Sequence, residues 1–287
     1  MASGARVQRD GASRSLPVTV IDAALPRTKI ELQELWRARE LAFVFAWRDV
    51  KVRYKQSLIG ISWAIIQPLF TMILFSYIFG HFAKFPSQGL TYPVFAYLGI
   101  LPWTLFASSL SQVSGSVLTN RALVQKVYFP RLILPLSGFL VPFVDFLFSS
   151  TVLVVVMVIF HVGVGPNLVL APLFLLLLAF LSFGVGSVFA AVNVRYRDVP
   201  YAMTFIVSSW MWLSPVAYGT ATLPHRWQVL SSFNPVSLAI TGFRWSVGGT
   251  PPPSTLQIGL GLGMTAILVA FGFSFYRRWE SRFADQL

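Results

Sequence analysis

The chain has 287 residues, 55% of them hydrophobic and only 11% charged, with a mean hydropathy of +0.68. Because about a quarter of the residues in a soluble domain are charged, this composition excludes that class and indicates an integral membrane protein. The absence of cysteine excludes disulfides and cysteine-ligated metal or iron–sulfur centres.

The first 30 residues have no apolar core region and carry Arg6, Arg9, Arg14, Arg27 and Lys29. A secretory signal peptide needs an apolar stretch, so these residues do not form one. We predict that residues 1–30 are a mobile polar tail in the cytoplasm.

Residues 31–47 are predicted to form an amphipathic helix in the membrane interface. Leu32, Trp36, Phe43 and Trp47 recur at four- and seven-residue steps, while most charged residues fall elsewhere. The helix is either a simple membrane-surface anchor or a collar that contacts a cytoplasmic partner. The basic stretch that follows, "RDVKVRYK", can meet anionic lipid headgroups.

Long stretches without acidic or basic residues follow, each able to hold a helix of roughly 20 residues, the length that crosses a hydrocarbon core. They are continuously apolar, which favours helices over the alternating strands of a barrel. Residues 31–287 are therefore predicted to form one all-α membrane domain. Its six spans are expected near 57–80, 92–114, 131–160, 167–192, 201–219 and 255–276.

Basic residues predict the orientation, because Lys and Arg accumulate in segments that stay in the cytoplasm. Of the 22 Lys and Arg residues, all but Lys84, Arg226 and Arg244 fall before span one, between spans two and three, between four and five, or after six. Both termini are therefore predicted to be cytoplasmic, in the cytoplasmic (inner) membrane.

The segment between spans five and six is apolar in part but is interrupted at Asn234-Pro235. Its longest uninterrupted helical piece, about 236–247, is too short to span. We predict one or two short helices that enter from the outer face and return there, which is tolerated where protein or water shields the backbone. The residues predicted to close the outer side are Phe233, Asn234, Pro235 and Phe243.

The chain carries few residues suited to catalysis. None of its five lysines follows a glycine, so the phosphate-binding G-x-x-x-x-G-K loop is missing and the chain is not expected to hydrolyse ATP. The three histidines, at 81, 161 and 225, lack ligand spacing, so no metal site is expected. Asp145, the one acid inside a predicted span, either hydrogen-bonds a neighbouring helix or belongs to an ion pathway.

Several motifs occur in an order typical of one transporter family: "RDVKVRYKQSLIGISWAIIQPLF", "NRALVQKVYFPRLILPL", "NVRYRDVPYAM", "LSPVAYG" and "FNPVSLAI". Together they resemble the permease subunit of type-2 ABC exporters for polysaccharides, in particular the O-antigen, capsule and teichoic-acid permeases. The resemblance implies a complex of two permease copies and two separate ATPase subunits that exports a lipid-linked polysaccharide. ATP and Mg²⁺ would bind to the ATPase and no cofactor to this chain, whose other contacts would be membrane lipids and not nucleic acid.

The resemblance also implies that residues 119–131 contain the coupling helix that docks on the ATPase. An ordinary positively charged loop is the alternative interpretation. The residues assigned to coupling are Arg121, Leu123, Gln125, Lys126, Tyr128 and Arg131.

A possible conduit lies along span one, where Trp63, Phe70 and Tyr77 are seven residues apart and share one helix face with Gln67. Sugar rings present C–H faces that stack on aromatic rings, so this stripe suits a sliding polymer. The alternative is that the rings face lipid or headgroups.

Two other functions remain open on the residues alone: an ABC exporter of small hydrophobic compounds, and an ATP-independent channel or scramblase. Co-purification with a nucleotide-binding chain would separate the ABC transporters from the last class.

Overall fold

The computed structural model describes residues 36, 39–55, 62–127, 129–196, 198–280 and 283. The predicted tail, residues 1–30, and the beginning of the predicted interface helix, residues 31–35, lie outside this range. Within it the chain forms helices and turns and no strand. The prediction of an all-helical fold is confirmed.

We number the α-helices in chain order: α1 (Arg39–Lys55), α2 (Ser62–Phe75), α3 (Tyr92–Thr119), α4 (Arg121–Lys126), α5 (Ile133–Ser137), α6 (Leu140–Ile159), α7 (Ala171–Arg195), α8 (Val199–Leu213), α9 (His225–Ser232), α10 (Pro235–Gly248) and α11 (Thr255–Glu280). A π-helical stretch, Ser76–Phe82, continues α2, and short 3₁₀ turns lie at Leu168–Leu170 and Thr220–Thr222. Helices α3, α7, α8 and α10 have a proline in the first turn. The fixed φ of proline suits a helix there, and the N–H that it lacks would have no partner within the helix.

Within the described ranges, five helical stretches are long and apolar enough to cross a membrane. They are Ser62–Phe82, Tyr92–Thr119, Ile133–Ile159, Leu168–Arg195 and Thr255–Glu280. They lie within a few residues of five predicted spans. The chain is therefore a multi-pass membrane protein.

The helix predicted over the fifth span, 201–219, ends before residue 219. Helix α8 has 15 residues and stops at Leu213, and Ser214 is extended with φ −108° and ψ 147°. The cause is Pro215, because a proline pushes the preceding residue out of the helical region. At 1.5 Å per residue α8 is about 22 Å long, shorter than the roughly 30 Å hydrocarbon core.

Helix α3 is the centre of the bundle and packs against α2, α6, α7 and α10. The other side of α7 packs on α11 at Gly184 and Gly272. A Cβ added to Gly272 would lie 1.9 Å from the carbonyl oxygen of Gly184. Small residues of this kind allow membrane helices to approach closely.

The two ends of the bundle differ in character. At one, which we call the basic end, α1, α4 and the end of α11 surround an apolar cluster that includes Phe45, Val124, Phe129 and Tyr276. At the other, the far end, α10 lies between α3, α7 and α11, and the N–H of Gly165 in the α6–α7 loop donates to the Val247 carbonyl at 2.7 Å. The re-entrant path predicted for α9 and α10 and the interface position predicted for α1 stay predictions.

Candidate functional site

Helix α4, within the predicted coupling segment, is two-sided. Arg121, Gln125 and Lys126 are exposed, whereas Val124 is only 4% exposed and packs into the basic-end cluster. Leu123 is half-buried against the same cluster. Tyr128, also assigned to coupling, lies outside the described residues. The exposed face of α4 is therefore polar and basic, and its buried face is apolar.

Helix α1 holds the beginning of α4. Arg48 Nη2 donates to Asn120 Oδ1 at 2.6 Å, and Asn120 Nδ2 donates to the Ser116 carbonyl at 2.9 Å. The Phe45 ring also makes an edge contact with Phe129, with 5.6 Å between ring centroids. A displacement of α4 would therefore alter these contacts with α1.

The end of α11 holds the other end of the coupling segment. The Arg131 backbone N–H donates to Glu280 Oε1 at 3.1 Å, and the Arg131 guanidinium donates to the Glu280 carbonyl. The Tyr276 hydroxyl donates to the Arg131 carbonyl at 3.0 Å. Arg131 therefore anchors the segment to α11, in contrast to the exposed Arg121 and Lys126.

Asp145 is tied to α1. Arg53 Nη2 lies 2.7 Å from Asp145 Oδ2, and the Tyr54 hydroxyl donates to Oδ1. Burial, with the hydrogen bond to Asp145, raises the pKa of Tyr54 above its ordinary value, so the hydroxyl remains a donor well above neutral pH. Of the two roles considered for Asp145, the geometry supports bonding to a neighbouring helix.

The predicted conduit residues lie on the outside of the single chain. Trp63, Phe70 and Tyr77 are 56%, 59% and 59% exposed, and Gln67 is exposed as well. Tyr77 stacks on His81 with ring centroids 6.0 Å apart, in the π-helical end of α2. The stripe is thus available to a second copy, to a substrate or to lipid, and the conduit role stays a prediction.

The predicted closing residues differ in their surroundings. Phe233 is 45% exposed, whereas Pro235 is buried and Phe243 is only 3% exposed, with Phe146 beside it. Asn234 joins α8 to α10, since its Oδ1 accepts from Trp210 Nε1 at 3.0 Å and from the Val236 N–H at 3.1 Å. The four residues are therefore not one exposed plug, since Pro235 and Phe243 are buried and Phe243 packs in the apolar core.

Arg244 is the residue of this region that the sequence reasoning missed. It is one of the three basic residues outside the predicted cytoplasmic segments, yet it lies on α10 and is only 2% exposed. A charged side chain at the centre of a membrane helix costs about 2.5–3.5 kcal/mol on insertion scales, and such residues are commonly functional. The signal was present in the sequence, as a single cation inside the apolar piece 236–247.

Four backbone carbonyls accept hydrogen bonds from the buried guanidinium. Arg244 Nε donates to the Phe95 carbonyl at 3.2 Å, Nη1 to the carbonyls of Pro215 and Tyr218, and Nη2 to that of Val216. The guanidinium carbon also lies 3.9 Å from the centre of the Phe95 ring. Among the described residues, no ion pair includes Arg244.

Comparisons with known proteins place the chain in a family. Residues 40–247 match the family described as "ABC-2 type transporter". The chain is 29% identical, over 86% of its own length and 95% of the relative's, to the O-antigen export system permease protein RfbA of Klebsiella pneumoniae. It is 24% identical to RfbA of Myxococcus xanthus over 74% of this chain and 82% of that protein.

A more distant relative is the polysialic acid transport protein KpsM of Escherichia coli, 20% identical over 81% of this chain and 91% of that protein. The family match spans most of the chain and includes α1, the coupling segment and nearly all of α10. The chain belongs to the ABC-2 type transporter family.

Proposed function

We propose that this chain is the permease subunit of an ABC transporter that exports a lipid-linked polysaccharide across the cytoplasmic membrane. The observation that carries the proposal is the coupling segment. Its basic face is exposed, its apolar face packs on the basic-end cluster, and hydrogen bonds anchor the segment at both ends. The names of the relatives, O-antigen export and polysialic acid transport, support a polysaccharide as the substrate.

A separate ATPase drives the transport, with ATP and Mg²⁺ bound on that subunit. Arg121, Gln125 and Lys126 form the docking face, and Val124 fixes its orientation from beneath. Arg48 and Arg131 lie on either side of the docking helix, so a displacement produced by the ATPase reaches α1 and α11 together.

The chain crosses the membrane six times, with both termini in the cytoplasm. Helix α8, together with the extended residues that follow it, provides the short fifth span. Helices α9 and α10 enter and leave at the outer face. This topology keeps the basic end on the cytoplasmic side, as the distribution of Lys and Arg favours.

Two copies of the chain and two ATPase subunits form the transporter. The exposed rings of Trp63, Phe70 and Tyr77 line the passage between the copies, where sugar rings stack on them. An exporter of small hydrophobic compounds and an ATP-independent channel or scramblase are less favoured, since the relatives carry the names of polysaccharide transporters.

The test is deletion of the gene, followed by analysis of surface glycans and of lipid-linked intermediates. The proposal expects loss of one surface polysaccharide and accumulation of its lipid-linked form inside the cell, both reversed by the intact gene. An unchanged surface with no retained intermediate would contradict it.

A further inference from the structure

We propose that Arg244 is a positioning residue that holds α10 against residues 214–219, which we call the α8–α9 turn, and thereby keeps the far end of the pathway closed to ions. The inference rests on the proposed function in one respect, that α10 closes the outer side of a transport pathway.

The α8–α9 turn offers a row of carbonyls that no helix uses. The chain leaves helical geometry at Ser214, and residues 214–218 form turns and bends. Arg244 binds the carbonyls of Pro215, Val216 and Tyr218. The carbonyl between Val216 and Tyr218, that of Ala217, accepts from the Tyr92 hydroxyl of α3 at 2.6 Å. Arg244 of α10 and Tyr92 of α3 thus hydrogen-bond four backbone carbonyls of the turn.

Gly99 leaves the space that the guanidinium occupies. A Cβ added to Gly99 would lie 2.2 Å from Arg244 Nη2, 2.9 Å from Arg244 Cζ and 2.6 Å from the Val216 carbonyl oxygen. Any side chain at this position would therefore displace the guanidinium, the turn or both. The site is built from α3, α10 and the turn together.

Helix α8 has few buried residues, so this site is one of a small number of contacts that hold its C-terminal end. Val199 and Met203 are its only buried residues, and Phe205 and Leu213 are 73% and 65% exposed. Asn234 adds a second tie, with its Nδ2 donating to Ser214 Oγ at 3.0 Å. Few buried contacts permit local movement, so without Arg244 the turn and α10 can separate.

The experiment measures ion leak through the permease–ATPase complex in lipid vesicles without nucleotide. Two variants disturb the site differently: Arg244→Met removes the donors, and Gly99→Ala displaces them while the charge remains. Each is expected to raise the leak on the order of tenfold, which corresponds to about 1.4 kcal/mol of lost closing free energy. ATP hydrolysis in the complex should stay at the wild-type rate, since the site is remote from α4.

Matched controls are Gly163→Ala and Gly263→Ala, because a Cβ at either position has no neighbour within 4 Å. Both should leave the leak unchanged. Alanine favours a helix over glycine, so a leak caused by Gly99→Ala within α3 cannot be ascribed to lower helix propensity. Tyr92→Phe, which frees only the Ala217 carbonyl, should give a smaller leak.

Membrane levels of each protein are measured first. If Arg244→Met does not accumulate, Gly99→Ala and Tyr92→Phe decide the question. Tight vesicles with every folded variant would overturn the inference, and so would failure of all three variants to fold, since Arg244 would then be a folding requirement. The leak assay contains no polysaccharide, so its result stays separate from the gene deletion that tests the proposed function.

Discussion

Charge reversal on the docking face tests the coupling role of α4 most sharply. Arg121→Glu and Lys126→Glu, made together, change two exposed side chains and leave Val124 and both anchors of the segment in place. Exposed substitutions alter folding free energy by about 0.5 kcal/mol or less. The protein should therefore reach the membrane at its normal level.

Docking should suffer much more than folding. An exposed ion pair contributes about 0.7 kcal/mol, and reversal adds a repulsion of similar size, so two reversals cost about 3 kcal/mol. This corresponds to roughly a hundredfold loss of affinity for the ATPase. We expect permease-stimulated ATP hydrolysis to fall to the rate of the isolated ATPase.

The matched control is Lys84→Glu with Arg226→Glu, which makes the same change in net charge at exposed positions of the far end. ATP hydrolysis is measured with purified ATPase and each permease in vesicles, over a range of salt concentrations. The wild-type stimulation should weaken as salt rises, because exposed charges are screened. Normal stimulation by the Arg121/Lys126 double variant would refute the docking assignment.

Three further predictions concern the conduit, the topology and α1. Phe70→Ala should lower polysaccharide export at normal protein level, whereas Phe271→Ala, which removes a similarly exposed ring from α11, should not; equal export by both would place Phe70 against lipid. Single cysteines at Thr222 and Ser254, in this cysteine-free chain, should both react with a membrane-impermeant thiol reagent from outside. If the reagent reached the two cysteines from opposite sides of the membrane, the segment between them would cross it. Asp145→Asn should lower the free energy of unfolding by about 1–3 kcal/mol, because it removes the ion pair with Arg53. A thermal melt measures the change, and an unchanged melting temperature would show that the ion pair does not stabilise the fold.

Most of the fold could be predicted from the sequence. A stretch without charged residues that is long enough to cross the membrane has few alternatives to a helix. The end of α8 was misjudged for a physical reason. Residues 215–218 are apolar and prolong the hydropathy signal, yet Pro215 removes a donor and forces Ser214 out of the helix. Hydropathy reports on environment, and backbone geometry decides where a helix stops.

The site was only partly readable. The exposed basic face of α4 follows from its own sequence, whereas its anchors Arg48 and Glu280 come from distant parts of the chain. The partners of Asp145 and Arg244 are equally remote in sequence, since Tyr54 precedes Asp145 by 91 residues and Phe95 precedes Arg244 by 149. No local pattern contains such pairs, because they arise from tertiary packing.

The most direct test of the account measures transport itself. Inverted membrane vesicles that contain the permease, its ATPase and a radiolabelled lipid-linked polysaccharide are given ATP, and the glycan that becomes protected from an external glycan-degrading enzyme is counted. Coupled export predicts ATP-dependent protection that is lost with the Arg121/Lys126 double variant and retained with its far-end control. Protection that needs no ATP, or none at all with an active ATPase bound, would contradict it.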